Sequence, residues 1–226
     1  MGYHRCSTYS NSSNAASSTP WAEVLDPFMH KWNPLPSHPQ LSKGVHSLVV
    51  LDGGKKILVY PSQSSSLFSY DVEDKSWDLI DETFGSSFGE FQTPCVVVDD
   101  ILYCLSTEVR AYDLAKREWF KKPVKGLKGR DVPSRWYNRD ESAAFLVHVG
   151  NGRLCLVCSE SSISENAIMI VRCTRFRIRK DSDGEEESRL YAIIESLRVY
   201  TMDNCNSLTD CLALQEAWFN SLLKEL

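Results

Sequence analysis

The chain has 226 residues, 42% of them apolar, and sets 25 Lys and Arg against 30 Asp and Glu for a formal net charge of -5. That much apolar surface suffices for one sizeable core or two small ones and predicts a globular protein. The slight acidity gives no overall basic field of the kind that non-specific nucleic-acid binding needs, and no apolar run approaches signal-peptide or membrane-span length. Nucleic acid and membrane are therefore excluded as expected partners, and an intracellular protein, cytoplasmic or nuclear, is expected.

Residues 1–20 are rich in Ser and Asn and lack periodicity, which predicts a solvated, disordered tail. Gly2 after Met1 has the look of a myristoylation start, but that motif wants a hydroxyl residue where this chain has Cys6. Folded structure is expected from Trp21 onward, and there the sequence repeats itself. Leu25-Asp26 precedes Trp32, Tyr70-Asp71 precedes Trp77, and Tyr112-Asp113 precedes Trp119, so each Asp is followed six residues later by a Trp. The steps from one Asp to the next are 45 and 42 residues. Asp accepts bonds from backbone amides two residues on, so Asp26, Asp71 and Asp113 should each end a strand and start a short turn, with Trp32, Trp77 and Trp119 opening the next strand.

Between these landmarks, β-rich runs alternate with turn residues. Ser47-Leu-Val-Val-Leu51, the turn Asp52-Gly-Gly54 and Lys56-Ile-Leu-Val-Tyr60 form one hairpin; Cys95-Val-Val-Val98, Asp99-Asp100 and Ile101-Leu-Tyr-Cys-Leu105 form the next. A longer fourth unit runs through Ala144–Val149, the turn Gly150-Asn-Gly152, Arg153–Cys158, a strand from Ala167 to Ile178, an acidic excursion from Asp181 read as a solvated loop, and Leu190–Tyr200. About four strands per 40 to 50 residues is the arithmetic of a β-propeller blade, with Tyr and Trp rings buried between blades. After residue 205 the pattern changes. Leu208, Cys211, Leu212, Trp218, Phe219, Leu222, Leu223 and Leu226 recur at three- and four-residue steps, which predicts an amphipathic helix over 206–226, either packed on a blade or offered to a partner or a second copy.

The Tyr-Asp-x5-Trp pattern with its intervening hairpins resembles the kelch repeat, and its degenerate style is similar to plant F-box/kelch proteins over residues 21–205. The resemblance implies an all-β, kelch-type β-propeller, incomplete at about four blade-like units where closed kelch propellers carry about six. It also implies an F-box ahead of the repeats, whose helices the Ser/Asn-rich opening does not supply. Kelch blades usually end their second strand on Gly-Gly; here those places read Val59-Tyr60-Pro61-Ser62 and Tyr103-Cys104-Leu105-Ser106, and Gly53-Gly54 falls in the preceding hairpin. An open arc of blades leaves strand edges that invite pairing, so a chain that is marginally stable or self-associates is expected.

Catalytic chemistry has no foothold in the sequence. The eight cysteines include several inside strand-like runs and read as reduced core thiols. Cys155 and Cys158 match a bare CxxC, but on a strand, positions three apart face opposite sides and cannot grip one metal ion. The five His are scattered, and no metal motif, nucleophile elbow or phosphate loop appears. A propeller enzyme of the oxidase or sugar-active kind would need clustered ligands or carboxylates that are missing. No enzyme activity, cofactor or metal is expected. The local charge feature is Lys116–Arg139, where Lys and Arg interleave with Trp119, Phe120, Trp136 and Tyr137 on a long inter-blade connection. Arg with aromatics is what interface hot spots prefer, so Arg130, Arg135, Trp136 and Arg139 are the expected partner-binding residues. The resemblance then implies a protein-protein interaction module in the manner of the substrate-recognition region of a ubiquitin-ligase receptor, meeting a ligase adaptor only indirectly. The alternative is a stand-alone kelch adaptor or truncated regulator that binds partners without recruiting a ligase.

Overall fold

The computed structural model describes residues 4–6, 22–26, 29–36, 38, 45–51, 54–61, 64–87, 95–127, 142–161, 168–181 and 189–203. Among them fifteen strands form four antiparallel sheets, each a meander in which consecutive strands are neighbours. Sheet A holds β1 (His4–Cys6), β2 (Ala22–Asp26) and β3 (Lys31–Pro34). Sheet B holds β4 (Val45–Leu51), β5 (Lys56–Pro61), β6 (Leu67–Asp71) and β7 (Ser76–Asp81). Sheet C holds β8 (Val96–Val98), β9 (Ile101–Leu105), β10 (Val109–Asp113) and β11 (Glu118–Trp119). Sheet D holds β12 (Ser142–His148), β13 (Arg153–Ser161), β14 (Ile168–Asp181) and β15 (Arg189–Asp203). The expected all-β class and its four-stranded units are present. The stretch 1–20, expected as tail, contributes β1, which pairs with β2 from His4↔Val24 to Cys6↔Ala22. The helix expected over 206–226 lies outside the described residues.

The chain divides into two compact units, Met1–Gln92 and Thr93–Leu226. In the first, β5 is apolar without alternation and is buried on both faces from Ile57 to Pro61. Such a run belongs to a strand with cover on each side. Ile57, Val59 and Tyr70 form the centre of one cluster, with Leu35, Val72 and Trp77 against it. The Tyr60 ring meets Phe84 edge-on at 5.3 Å, and His38 lies 4.6 Å from the Phe68 ring and 5.1 Å from Trp77.

In the second unit, sheets C and D pack face to face. Val98, Tyr103, Leu105, Val109 and Ala111 from sheet C meet Ala144, Leu146, Leu154, Leu156, Cys158 and Phe176 from sheet D in one core. The other face of sheet D buries Val157, Met169 and Val171, with Phe145, Val147, Cys155 and Cys173 packed against them. Cys155 and Cys158 thus belong to opposite faces, as strand alternation requires. The cysteine reading needs one correction. Cys95 and Cys104 are joined by a disulfide across β8 and β9, where the pairing of Val96 with Tyr103 brings their Cα atoms within 4.4 Å. Cys155, Cys158 and Cys173 stay outside any disulfide, as reduced thiols. Register, which composition does not reveal, decides which thiols meet.

The turns carry their expected chemistry. Asp99 and Asp100, both at positive φ, make the two-residue hairpin that links β8 to β9, the conformation a primed turn demands. Gly150, Asn151 and Gly152 are also at positive φ, and Arg153 N–H donates to the Gly150 carbonyl at 3.0 Å as the chain reverses into β13.

Candidate protein-interaction surface

Three Asp-to-Trp hairpins share one register. Asp26 pairs with Lys31 and Leu25 with Trp32; Asp71 pairs with Ser76 and Tyr70 with Trp77; Asp113 pairs with Glu118 and Tyr112 with Trp119. Each turn ends on a non-glycine residue in the left-handed region, four positions after the Asp: His30, Lys75 and Arg117. Side-chain oxygens support this turn where they are described. Asp71 Oδ1 accepts from the N–H groups of Glu73 and Asp74 at 3.0 Å each, and Asp113 Oδ1 from those of Ala115 and Lys116 at 3.1 and 2.9 Å. Arg117 N–H closes the second of these turns by donating to the Asp113 carbonyl at 2.8 Å. The Tyr and Trp facing each other across the hairpin bring their rings to 4.9 Å in sheet B and 5.2 Å in sheet C. Tyr70 and Tyr112 are fully buried, while Trp32, Trp77 and Trp119 are half-buried. Burial, and secondarily the Asp71 charge, pushes the Tyr70 hydroxyl above its ordinary pKa, so it stays neutral. Burial followed by the Asp99 charge does the same for Tyr103. These residues set the framework from which connections project.

The basic and aromatic stretch after β11 can be followed to Leu127. Lys121 and Lys122 are exposed, Val124 is buried in the core between sheets C and D, and the backbone then turns onto the outer edge of β15. Lys125 N–H donates to the Leu190 carbonyl at 2.9 Å and its own carbonyl accepts from Ala192 N–H at 2.7 Å, a single parallel bridge opposite Tyr191. Gly126 makes the approach possible: its φ is +93°, and a Cβ there would stand 2.7 Å from the Ala192 carbonyl oxygen. The Lys side chains lie over rings, Lys125 Nζ 6.0 Å from the Tyr191 centroid and Lys180 Nζ 5.7 Å from that of Phe120. Arg130, Arg135, Trp136 and Arg139 lie outside the described residues.

Sequence reasoning missed the charged face of sheet D. Glu195 sits at the bulge where β15 slips register against Arg175 and Phe176, and three guanidiniums converge on it. Arg153 Nε stands 2.9 Å from Oε2, Arg175 Nε 3.2 Å from Oε2, and Arg177 Nε 2.6 Å from Oε1. Like charges side by side on one sheet face repel, and the bulge places a carboxylate among them. Burial opposes ionisation of Glu195, but the hydrogen bond from Arg153 and the charges of Arg153, Arg177 and Arg175 outweigh it and hold the carboxyl below its ordinary value. On the opposite face, Arg172 Nη1 pairs with Glu160 Oε1 at 2.7 Å. The alternation of Arg175, Arg177 and Arg179 carries a signal of a basic strand face, but only pairing shows that Glu195 answers it. Among the described residues, no group of three or more His, Cys, Asp or Glu could hold a metal ion, and no helix is long and apolar enough to cross a membrane.

No family model matches the sequence. Two F-box/kelch-repeat proteins of Arabidopsis thaliana are similar to it: At4g19330, 27% identical over 197 residues and 84% of this chain, and At4g33900, 26% identical over 168 residues and 73% of this chain. The resemblance drawn from the Tyr-Asp-x5-Trp hairpins therefore has its counterpart in whole-sequence similarity. The matches cover 46% and 41% of those proteins, so the chain spans less than half the length of the curated relatives it matches. Among solved structures, the β-propeller domain of Myceliophteria thermophila Cps50 (Swd1) aligns at a TM-score of 0.39 and 11% identity, covering 75% of this chain and 64% of that one. Kuenenia stuttgartiensis hydrazine synthase aligns at 0.40 and 9%, covering 81% and 60%. The all-β assignment rests on the strands themselves.

Proposed function

We propose that the chain is a kelch-repeat portion of a β-propeller, short of a full ring, that works as a protein-protein interaction module and catalyses nothing. The observation that carries this reading is the Asp-to-Trp hairpin recurring in one register in sheets A, B and C, together with similarity to two F-box/kelch-repeat proteins along most of the chain. Repeated four-stranded sheets with short turns leave the longer connections to carry recognition. The connection after β11 is basic and aromatic, and Arg130, Arg135, Trp136 and Arg139 are the residues we assign to partner contact. The partner is a protein, in the manner of a substrate of a ubiquitin-ligase receptor, and the setting is cytoplasmic or nuclear.

Affinity purification of the tagged chain, alongside a variant with Arg130, Arg135, Trp136 and Arg139 all changed to Ala, tests this. Proteins captured by the natural chain and lost from the variant are the expected result; equal capture by both overturns the assigned residues. Ligase adaptor subunits among the captured proteins support the receptor reading. Reproducible partners without ligase subunits support the stand-alone adaptor.

A further inference from the structure

On the face of sheet D that meets sheet C, burial stops at the last strand. Across the ladder, Leu154 pairs with Phe176 and Phe176 with Ile194; Leu156 pairs with Thr174 and Thr174 with Leu197; Cys158 pairs with Arg172 and Arg172 with Val199. Leu154, Leu156 and Phe176 are 0% exposed and Thr174 is 2% exposed, whereas Ile194 is 46%, Leu197 55% and Val199 56% exposed. Three large apolar side chains in a row thus continue the core outward with no described residue closing over them. On its outer edge β15 meets Lys125 only at Leu190–Ala192, leaving the stretch beyond Ala192 uncovered among the described residues. A contiguous exposed apolar row at the margin of a core marks a place that something covers.

We propose that residues 204–226 of this same chain cover it, folding back as an amphipathic helix whose Leu208, Leu212, Phe219, Leu222 and Leu226 pack on Ile194, Leu197 and Val199. Chain continuity favours this occupant. β15 ends at Asp203, so the segment begins at the end of the row, and 204–207 give the short connection that reverses direction. The lengths agree. Helix from Leu208 to Leu226 spans about 28 Å at 1.5 Å per residue; the strand from Ile193 to Met202 spans about 30 Å at 3.3 Å per residue.

A photo-crosslinking benzoylphenylalanine in place of Leu197, in an equal mixture of light- and heavy-isotope chains, tests the proposal. Crosslinks to peptides within 208–226 of the same isotope are expected. Crosslinks between light and heavy chains would assign the row to a second copy and overturn it, as would the absence of any crosslink to 208–226. As a second readout, the double variant Leu222→Asp, Leu223→Asp should speed amide hydrogen exchange of Ile193–Met202 by about tenfold or more while leaving Ile57–Val59 of sheet B unchanged. Unchanged exchange along β15 would overturn the proposal on its own.

Discussion

Sheets C and D belong to the same compact unit and share one core, yet they are held by different means. Sheet C has strands of two to five residues, turns fixed by local chemistry at Asp99-Asp100 and Asp113, and a disulfide between its first two strands. Sheet D has strands of 7 to 15 residues, a bulge at Glu195, and charges that pair across its strands. Sheet C is specified within short windows of sequence; sheet D depends on partners up to 42 residues apart, the separation of Arg153 and Glu195. Local specification gives a small sheet, whereas long-range pairing gives a broad one whose last strand is exposed among the described residues.

Five perturbations would break or sharpen that contrast. Phe176→Ala, at a fully buried ladder position of sheet D, should cost about 3–5 kcal/mol, and Leu197→Ala, on the row that we propose residues 204–226 cover, about 2 kcal/mol. Denaturant unfolding measures both, and a cost near zero for Leu197→Ala would mean that the row stays open to solvent. Reduction of the Cys95–Cys104 bond should lower stability by about 2–3 kcal/mol, the contribution of closing a loop of nine-residue separation. Thermal unfolding with and without a reductant, alongside Cys104→Ser as a control insensitive to it, reads this out.

Smaller effects belong to the turns. Asp113→Ala removes two backbone-amide bonds beside a buried carboxylate and should cost about 1–2 kcal/mol, with Asp71→Ala slightly less because Asp71 is more exposed. If the hairpins are equivalent, Lys75→Gly and Arg117→Gly should each stabilise by a similar amount, up to about 1 kcal/mol, by relieving a left-handed backbone position. The smallest effect is the titration of Glu195. Its pKa is lower in the folded chain than its ordinary 4.5, so its contribution is fully present above that value and is lost as pH falls through the folded value. Glu195→Gln should flatten the stability profile below pH 4.5 and leave it nearly parallel to the natural chain's above it, an outcome that unfolding curves between pH 3 and 7 would check, on the order of ordinary carboxylate titration.

The repeated hairpins were legible because Asp, Tyr and Trp act within a few residues of one another; the spacing from Asp71 to Trp77 already contains the turn. The second strands of sheets B and C, Lys56-Ile-Leu-Val-Tyr and Ile101-Leu-Tyr-Cys-Leu, were equally plain because they are apolar on both faces. What sequence did not disclose is register. It joins Cys95 to Cys104, sets three arginines around Glu195, and pairs His4–Cys6 with Ala22–Asp26 in a stretch whose Ser and Asn content argued for a tail. The exposure of Ile194, Leu197 and Val199 was hidden for a related reason: an apolar strand at the open margin of a core reads the same as one in its middle.

The bridge between Lys125 and Tyr191 has a mechanical consequence. It anchors the chain to β15, whereas Ser142 begins β12 at the opposite border of the same sheet. The described residues that flank 128–141 therefore stand at opposite borders of the sheet, about 15–20 Å apart across its four strands. A pull applied through both of those flanks would load the Lys125–Tyr191 bridge and β12 at opposite borders of the sheet, as a span held at both ends, instead of peeling it from one side.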